Sequence, residues 1–261
     1  MRPVHVIPGI ESPLRRCSSN DIDWIIIREN SEGEYAGQGG TTHEGTLHAV
    51  ATDVAVYTHV GIERTMRFAF ETARSRTRKH LTMVTKSNAQ RHGMVLWDQV
   101  FDALIPEYPD VSCDRMLVDA MTVRMVQKPD SLDTILATNL HGDILSDLAA
   151  ALAGSIGIAP SSNLDPTRQN PSMFEPIHGS APDIAGKGVA NPVGMIWSAA
   201  EMLRWLGEDA ASRLISQAIE RVSASGCMTR DLGGSADTRQ VVKAILDQLC
   251  SFAKDKDFSH P

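Results

Sequence analysis

Long apolar runs are absent from this sequence of 261 residues. No stretch approaches the roughly 18 apolar residues that a membrane-spanning helix requires, so a membrane protein is not expected. Cysteine is scarce too, and the four cysteines form no CxxC pair, which argues against a disulfide framework or a zinc site. The opening Met1-Arg2-Pro3 is followed by no signal-peptide pattern. These absences predict a protein of the reducing cytoplasm.

An excess of positive charge is also missing. The formal net charge is −7, and an acidic protein is a poor partner for nucleic acid. A small dianionic ligand would be repelled by the overall field. Its attraction must then come from individual arginines, lysines or a bound metal ion.

Short β-branched runs alternate with longer helical stretches, which is typical of an α/β fold whose sheet is covered on both faces. The predicted strands are Asp23–Arg28, Leu81–Thr85, Met116–Val118 and Thr134–Ala137. The predicted helices are Val60–Ala73, Gly93–Leu104, Leu140–Leu152, Val193–Leu206, Ala210–Ser223 and Thr238–Phe252.

Two segments differ from this alternation. Residues 157–192 are rich in Gly, Pro, Ser and Asn and are too long for a simple connection, so a functional loop is expected. The stretch Glu34–Val54, with alternating residues from Thr46 onward, indicates either a protruding hairpin arm or an ordinary surface meander.

The pair Asp143 and Asp147 is spaced i, i+4 in a predicted helix. Both carboxylates then project from one face, where they can give Mg²⁺ or Mn²⁺ two hard oxygen ligands. The alternative is simple decoration of the helix N-terminus, because aspartate is favoured in a first turn. Asp119, placed directly after the predicted strand Met116–Val118, strengthens the metal hypothesis, since active-site residues gather at strand carboxyl ends.

Two further strand ends carry polar side chains. Arg28 can clamp a carboxylate in a bidentate fork, and Tyr35 can donate a proton to a developing carbanion. An edge arginine paired with Glu29 or Glu32 is the alternative. Lys86 can assist removal of a hydroxyl proton, or it can be a solvated loop lysine.

The loop from Glu175 to Pro192 contains neither a GxGxxG turn nor a GxxxxGK[ST] phosphate loop. Its glycines, Gly179, Gly186 and Gly188, allow close approach of the backbone to a ligand. His178 offers a ring for stacking, and Asp183 can accept hydrogen bonds from a ribose diol while repelling a 2′-phosphate. A purely structural loop is the alternative.

Taken together, these motifs resemble the isocitrate/3-isopropylmalate dehydrogenase family. RENSEGEY, VTKSN, VDA and GDILSD stand in the family's order, followed by IGIAPS and EPIHGSAPDIAGKGVANP. The forms RENSEGEY…GGTTHEGT and PSMFEPIHGSAPD are most similar to its tartrate/D-malate dehydrogenase branch.

The resemblance implies a role for each candidate residue. The substrate's carboxylates would be bound by Arg2 and Arg28, Tyr35 would protonate an enolate, and Lys86 would assist deprotonation of the hydroxyl. Mg²⁺ or Mn²⁺ would be held by Asp119, Asp143 and Asp147. Lys86 and Asp119 would be lent across the two-fold interface of a homodimer, with Glu34–Val54 as its interlocking arm. NAD would be bound by Glu175, His178, Gly179, Ser180, Ala181, Asp183 and Asn191.

The implied architecture is an isopropylmalate-dehydrogenase-like α/β fold of two domains. Residues 1–154 would form the metal-binding and dimerisation domain, and residues 155–261 the C-terminal half of the NAD-binding domain. We expect the N-terminal part of the cofactor domain to be missing, together with a DGIGPE-type loop and one substrate arginine.

The implied reaction is oxidation of a 2-hydroxy dicarboxylic acid at C2, with hydride transfer to NAD, followed by loss of CO₂. Tartrate or D-malate is the expected substrate. Two alternatives stay open: a 3-isopropylmalate dehydrogenase, and a catalytically impaired dimeric remnant of the family.

Overall fold

Four neighbouring parallel strands of the sheet position the site. They are β2 (Asp23–Arg28), β5 (His80–Thr85), β6 (Ser112–Leu117) and β7 (Thr134–Ala137), in the order β2–β7–β5–β6. The computed structural model describes residues 1–15, 17 and 21–257. The strands predicted over Asp23–Arg28 and Thr134–Ala137 are confirmed residue for residue, because buried β-branched runs bounded by polar residues leave little freedom in their ends.

Helices cover this sheet. They are α1 (His59–Ser75), α2 (Gly93–Leu104), α3 (Val118–Gln127) and α4 (Asn139–Leu152). Thr58 caps α1 by accepting a hydrogen bond from the backbone of Gly61. The largest fully buried side chains of this region come from both helices and strands: Trp24, Ile26, Ile62, Met66, Phe70, Leu81, Met83, Met94, Trp97 and Phe101.

The expected strand Met116–Val118 was wrong at both ends. Strand β6 begins at Ser112, and Val118 is already the first residue of α3. The first part of this strand, Ser112–Arg115, contains no apolar run from which a strand could be predicted. Its side chains are stabilised by hydrogen bonds and ion pairs instead. Arg115, for example, donates to Asp102 at 2.8 Å. Asp119 therefore lies in the first turn of a helix.

The segment expected as an arm or a meander is a hairpin. Strand β3 (Gly33–Thr42) pairs antiparallel with β4 (Val50–Val56), and the register shifts between Gly33 and Gln38. Every residue from 36 to 55 is exposed. Without a core of its own, the hairpin presents both faces outward.

The remaining elements form a second packing unit. It contains β1 (Arg2–His5), β8 (Pro160–Asn163), β9 (Met173–Pro176), α5 (Val193–Trp205), α6 (Asp209–Ala224) and α7 (Thr238–Asp257). Strands β8 and β9 pair antiparallel inside the segment expected to be a loop. The apolar core here is Ile7, Ile10, Ile158, Val193, Trp197, Ala200, Ala218, Ile219, Val222, Val241, Ile245 and Phe252.

Packing therefore divides the chain into Trp24–Ser146 on one side and Met1–Asp23 with Asp147–Pro261 on the other. Strand β1 belongs to the second unit because Met1 and Ser162 exchange backbone hydrogen bonds, at 2.7 and 2.9 Å. The functional domains expected from the resemblance, 1–154 and 155–261, stay a prediction. Among the described helices, none is both long and apolar enough to cross a membrane.

Candidate active site

Arg28 lies at the carboxyl end of β2, and its guanidinium is held by two residues of α4. Nε and Nη2 both donate to Oδ1 of Asn139, at 3.0 and 2.7 Å, and Nη1 donates to Oδ1 of Asp143. The Arg28 side chain is only 11% exposed. Arg28 is not paired with Glu29 or Glu32, the alternative considered from the sequence, because its guanidinium faces α4 instead.

Tyr35 reaches the same aspartate from the start of the hairpin. Its phenolic hydroxyl donates to Oδ2 of Asp143 at 2.8 Å, and the Arg28 guanidinium lies 5.4 Å from the centre of its ring. Asp143 therefore accepts from Arg28 on one oxygen and from Tyr35 on the other. Tyr35 remains 57% exposed, so its hydroxyl stands where a small molecule can reach it.

Asp143 and Asp147 lie one turn apart on α4, as the spacing predicted. Their donor set, two hard carboxylate oxygens, suits Mg²⁺ or Mn²⁺. In the part of one chain that is described, no three His, Cys, Asp or Glu side chains cluster as a metal site. The donor set therefore fits a divalent ion as a partial set that needs further ligands.

Lys86 and Asp119 form an ion pair in which Nζ donates to Oδ1 at 2.5 Å. Lys86 follows β5, and Asp119 lies in the first turn of α3, which follows the neighbouring strand β6, so adjacent strand ends bring them together. The hydrogen bond from Lys86 is the main cause that lowers the pKa of Asp119 below its ordinary value. The ion pair with Lys86 therefore favours the carboxylate form of Asp119.

A buried polar cluster supports the turn after β2. The Glu29 carboxylate, 3% exposed, accepts from the backbone of Ser31 and Glu32 at 2.8 to 3.1 Å. These hydrogen bonds hold residues 28–32, the sequence RENSE, in the tight turn that leads from Arg28 toward Tyr35. From the sequence, Glu29 was expected only as a possible partner of Arg28. The pattern of acidic residues in this segment does not indicate which of them stabilises the turn.

His141, one turn before Leu145 on α4, is the other unexpected residue. It is buried, and its Nδ1 has no hydrogen-bond partner among the described residues. Burial lowers its pKa, so the neutral ring is favoured.

The expected cofactor residues fall on β9 and the turns that follow it. Glu175, Gly179, Ser180 and Asp183 are exposed, and Ala181 has a positive φ of 44°. Nδ1 of His178 lies 3.0 Å from the carbonyl oxygen of Gly179. A Cβ added at Gly179 would meet nothing within 4 Å and its φ is not positive. Nothing inside the chain requires glycine there, which is the pattern a ligand against the backbone would explain.

Asn191 closes this segment and lies two residues before the start of α5. Its Oδ1 accepts from the backbone of Val193 at 3.0 Å, and its Nδ2 donates to Asp231 at 2.9 Å. Asp231 also accepts from the hydroxyls of Ser155, at 2.6 Å, and Thr229. Burial alone would raise the pKa of Asp231, but these hydrogen bonds outweigh it and hold the pKa below its ordinary value.

Asp231 was missed by the sequence analysis. It stands in a short polar stretch, Thr229–Gly234, that has no apolar periodicity and lies 40 positions from Asn191. The last of the predicted substrate arginines, Arg2, is half-buried in β1. It lies in the second packing unit, apart in sequence from the cluster around Asp143.

Comparison with known proteins identifies the family. Residues 1–245 match the family described as isocitrate/isopropylmalate dehydrogenase. The chain belongs to this family. It is 62% identical to a probable tartrate dehydrogenase/decarboxylase of Agrobacterium vitis over 95% of this chain and 68% of that relative. Identity to a decarboxylating D-malate dehydrogenase of Escherichia coli is 47%, over 94% of this chain and 69% of that relative.

Solved structures of the family agree with the fold. The crystal structure of an isocitrate dehydrogenase from Methylococcus capsulatus superimposes with a TM-score of 0.87 at 38% identity, covering 95% of this chain and 72% of that one. The α/β fold predicted from the motifs is thereby confirmed.

Proposed function

We propose that the protein catalyses the NAD-dependent and Mg²⁺- or Mn²⁺-dependent oxidative decarboxylation of a small 2-hydroxy dicarboxylic acid, tartrate or D-malate. The observation behind the proposal is the double engagement of Asp143, whose two oxygens accept from Arg28 and Tyr35. The candidate metal ligand Asp143 thus forms hydrogen bonds with both the candidate carboxylate-binding residue, Arg28, and the candidate proton donor, Tyr35. The relatives named for tartrate and D-malate support the choice of substrate.

In this proposal, each side chain has a task set by its position. Arg28 keeps one N–H on each of Nη1 and Nη2 beyond its three bonds within the chain, and these two nitrogens can grip a substrate carboxylate as a fork. The exposed hydroxyl of Tyr35 delivers a proton to the substrate carbon that loses CO₂. Lys86 of the partner subunit assists removal of the proton from the C2 hydroxyl.

The divalent ion would be held by Asp143 and Asp147, with Asp119 of the partner subunit, and substrate oxygens and water would complete its shell. When bound, such an ion polarises the substrate oxygens attached to it. The partial donor set within one chain is the reason for proposing that a second chain supplies the rest.

A homodimer is therefore part of the proposal. The hairpin β3–β4 is exposed on both faces, and three apolar side chains of α3 and α4 lie open to solvent, with exposed fractions of 52% for Val123, 44% for Val126 and 53% for Ile144. Exposed apolar side chains such as these can be covered by a second copy of the chain. Size-exclusion chromatography with light scattering should give twice the mass of one chain, and a monomer would remove the shared site.

NAD is proposed as the oxidant, bound at its adenosine end by the segment from Glu175 to Asn191. The exposed carboxylate of Asp183 favours a ribose with free hydroxyls over one that carries a 2′-phosphate. Lys187 is the nearest opposing charge in sequence. NAD should bind about ten- to a hundredfold more tightly than NADP, the value of a hydrogen-bonded charge. Equal affinities in a calorimetric titration would mean that Asp183 does not face the ribose.

A direct assay tests the proposal as a whole. The purified protein is given NAD and Mn²⁺ with D-malate, tartrate or 3-isopropylmalate, and NADH and CO₂ are measured together. NADH and CO₂ formed in equal amounts from D-malate or tartrate support the proposal. Turnover of 3-isopropylmalate alone would favour the isopropylmalate alternative. Binding of Mn²⁺ without turnover of any of these acids would favour an impaired remnant. A cytoplasmic location, proposed from the scarcity of cysteine in the sequence, is tested by fractionation.

A further inference from the structure

Asn139 is a buried residue whose amide oxygen accepts hydrogen bonds from one side chain, that of Arg28. It is 3% exposed at the first position of α4, two residues after the end of β7. Its Oδ1 accepts both Nε and Nη2 of Arg28, while its Nδ2 donates to the backbone carbonyl of Glu32 at 3.0 Å. The second bond fixes which way the amide faces. The oxygen is therefore held toward Arg28 by the turn that follows β2.

Two contacts on one oxygen determine the orientation of a planar guanidinium. With the Nε and Nη2 edge occupied by Asn139, rotation about the end of the Arg28 side chain would break both hydrogen bonds at once. Nη1 is consequently directed at Asp143. An arginine without this partner would keep its charge but lose the fixed direction of its fork.

Gly142 fixes the stem of the same arginine. A Cβ at Gly142 would lie 2.7 Å from Cγ and 2.8 Å from Cβ of Arg28. The arginine stem therefore packs directly on the backbone of α4, one turn after Asn139. Head and stem are held by two residues of one helix, and that helix also carries Asp143.

We propose that Asn139 is a positioning residue for substrate recognition: it holds the Arg28 guanidinium in the direction that grips the substrate carboxylate. The inference rests on the proposed function, because Arg28 is the carboxylate clamp there. It predicts that affinity for the dicarboxylic acid depends on Asn139 only through Arg28. Asn139 itself touches neither the acid nor the cation.

A double-mutant cycle on the intact protein tests this. Affinity for D-malate in the presence of Mn²⁺ is measured by calorimetry for the parent protein, Asn139→Ala, Arg28→Ala and the double variant. Asn139→Ala should weaken binding by about ten- to a hundredfold, the range for a hydrogen bond to a charged group. In the Arg28→Ala background the same change should have almost no further effect. A full, additive loss there would overturn the proposal, because Asn139 would then act independently of Arg28.

Conservative replacement separates positioning from folding. Asn139→Asp keeps an oxygen for Arg28, loses the donor to Glu32 and adds a negative charge beside the guanidinium, so it should keep the fork oriented and restore part of the affinity lost in Asn139→Ala. Asn170→Ala, which removes an exposed amide that bonds Asp165, is the matched control and should bind D-malate normally. If Asn139→Ala does not fold, the comparison of Asn139→Asp with Asn139→Ser replaces it, and equal affinity of those two variants would count against the proposal.

A measurement without substrate distinguishes this inference from the proposed function. The Nε–H of Arg28 should give a slowly exchanging NMR signal in the parent protein and in Asn139→Asp, and a rapidly exchanging one in Asn139→Ala. Slow exchange without any D-malate or tartrate binding would contradict the proposed function and leave the Asn139–Arg28 contact established, but would overturn its role in recognition. Normal exchange and normal affinity in Asn139→Ala would overturn the inference alone.

Discussion

Tyr35 and Asp143, 108 positions apart in the sequence, are joined by a hydrogen bond of 2.8 Å from the phenol to Oδ2. Arg28 donates to the other oxygen of the same carboxylate. The cation proposed at Asp143 would compete with both donors, so its binding would be coupled to the release of Tyr35 and Arg28 toward the substrate.

Replacement of Asp143 by Asn should weaken Mn²⁺ binding by about tenfold or more, since a neutral amide is a poor ligand for a hard cation. The fold should survive, because the amide oxygen can still accept from Arg28 or Tyr35. Calorimetric titration with Mn²⁺ measures the loss. Asp102→Asn, which removes a surface partner of Arg115, is the control. An affinity equal to that of the parent protein would exclude Asp143 as a ligand.

Tyr35→Phe removes the hydroxyl and leaves the ring near Arg28. If Tyr35 delivers the proton, decarboxylation of added oxaloacetate should slow by about a hundredfold or more, while the melting temperature changes little because Tyr35 is mostly exposed. Release of CO₂ is followed directly. Tyr108→Phe removes a hydroxyl from a ring stacked on Phe70 and serves as control. An unaltered rate in Tyr35→Phe would assign the proton to another group.

Asp231→Asn should destabilise the protein by about 1 kcal/mol at pH 7. The change replaces one carboxylate oxygen by an amide nitrogen, which is a donor, whereas Ser155, Asn191 and Thr229 all donate to Asp231 and require acceptors. The lowered pKa of Asp231 gives the sign of the pH effect. A depressed pKa means that the contribution is complete above about pH 4 and is lost as the pH falls through the folded-state value.

Melting temperatures of the parent protein and of Asp231→Asn, taken between pH 7 and pH 3, test this. The gap between the two should narrow below about pH 4. NAD affinity should also fall in the variant, since Asn191 loses its fixed orientation. Asp247→Asn, which removes an exposed partner of Lys243, should show neither effect. A gap that stays constant down to pH 3 would mean that Asp231 ionises normally in the folded protein.

Gly142→Ala should force the Arg28 stem away from α4, because the added Cβ would lie under 3 Å from two of its carbons. Overpacking of this kind costs about 1–3 kcal/mol of stability, and D-malate affinity should fall with it. Chemical denaturation and calorimetry measure the two effects. Ala151→Ser, on the exposed side of the same helix, is the control. A variant with the parent's stability and affinity would show that the arginine stem can move freely.

Local sequence was enough to place much of the secondary structure. The strand Asp23–Arg28, the helix Gly93–Leu104 and the strand Thr134–Ala137 have the predicted bounds, since apolar periodicity and flanking polar residues are both local signals. Strand β6 was placed poorly for the same reason. Its polar residues Ser112–Arg115 are stabilised by partners elsewhere in the chain, and no local pattern records them.

The sequence by itself also determined which residues could do chemistry: the spacing of Asp143 and Asp147, the strand-end Lys86, and the motifs that identify the family. Only the tertiary structure decided which of them meet. Strand order β2–β7–β5–β6 places Arg28 beside Asn139, a residue 111 positions away, and brings Lys86 to Asp119. Such contacts depend on how crossover connections order the strands, and the free energy that fixes this order comes from burial of the whole core rather than from any one segment. For this reason the roles of Asn139 and Asp231 could not be predicted from the sequence and became evident only in the folded structure.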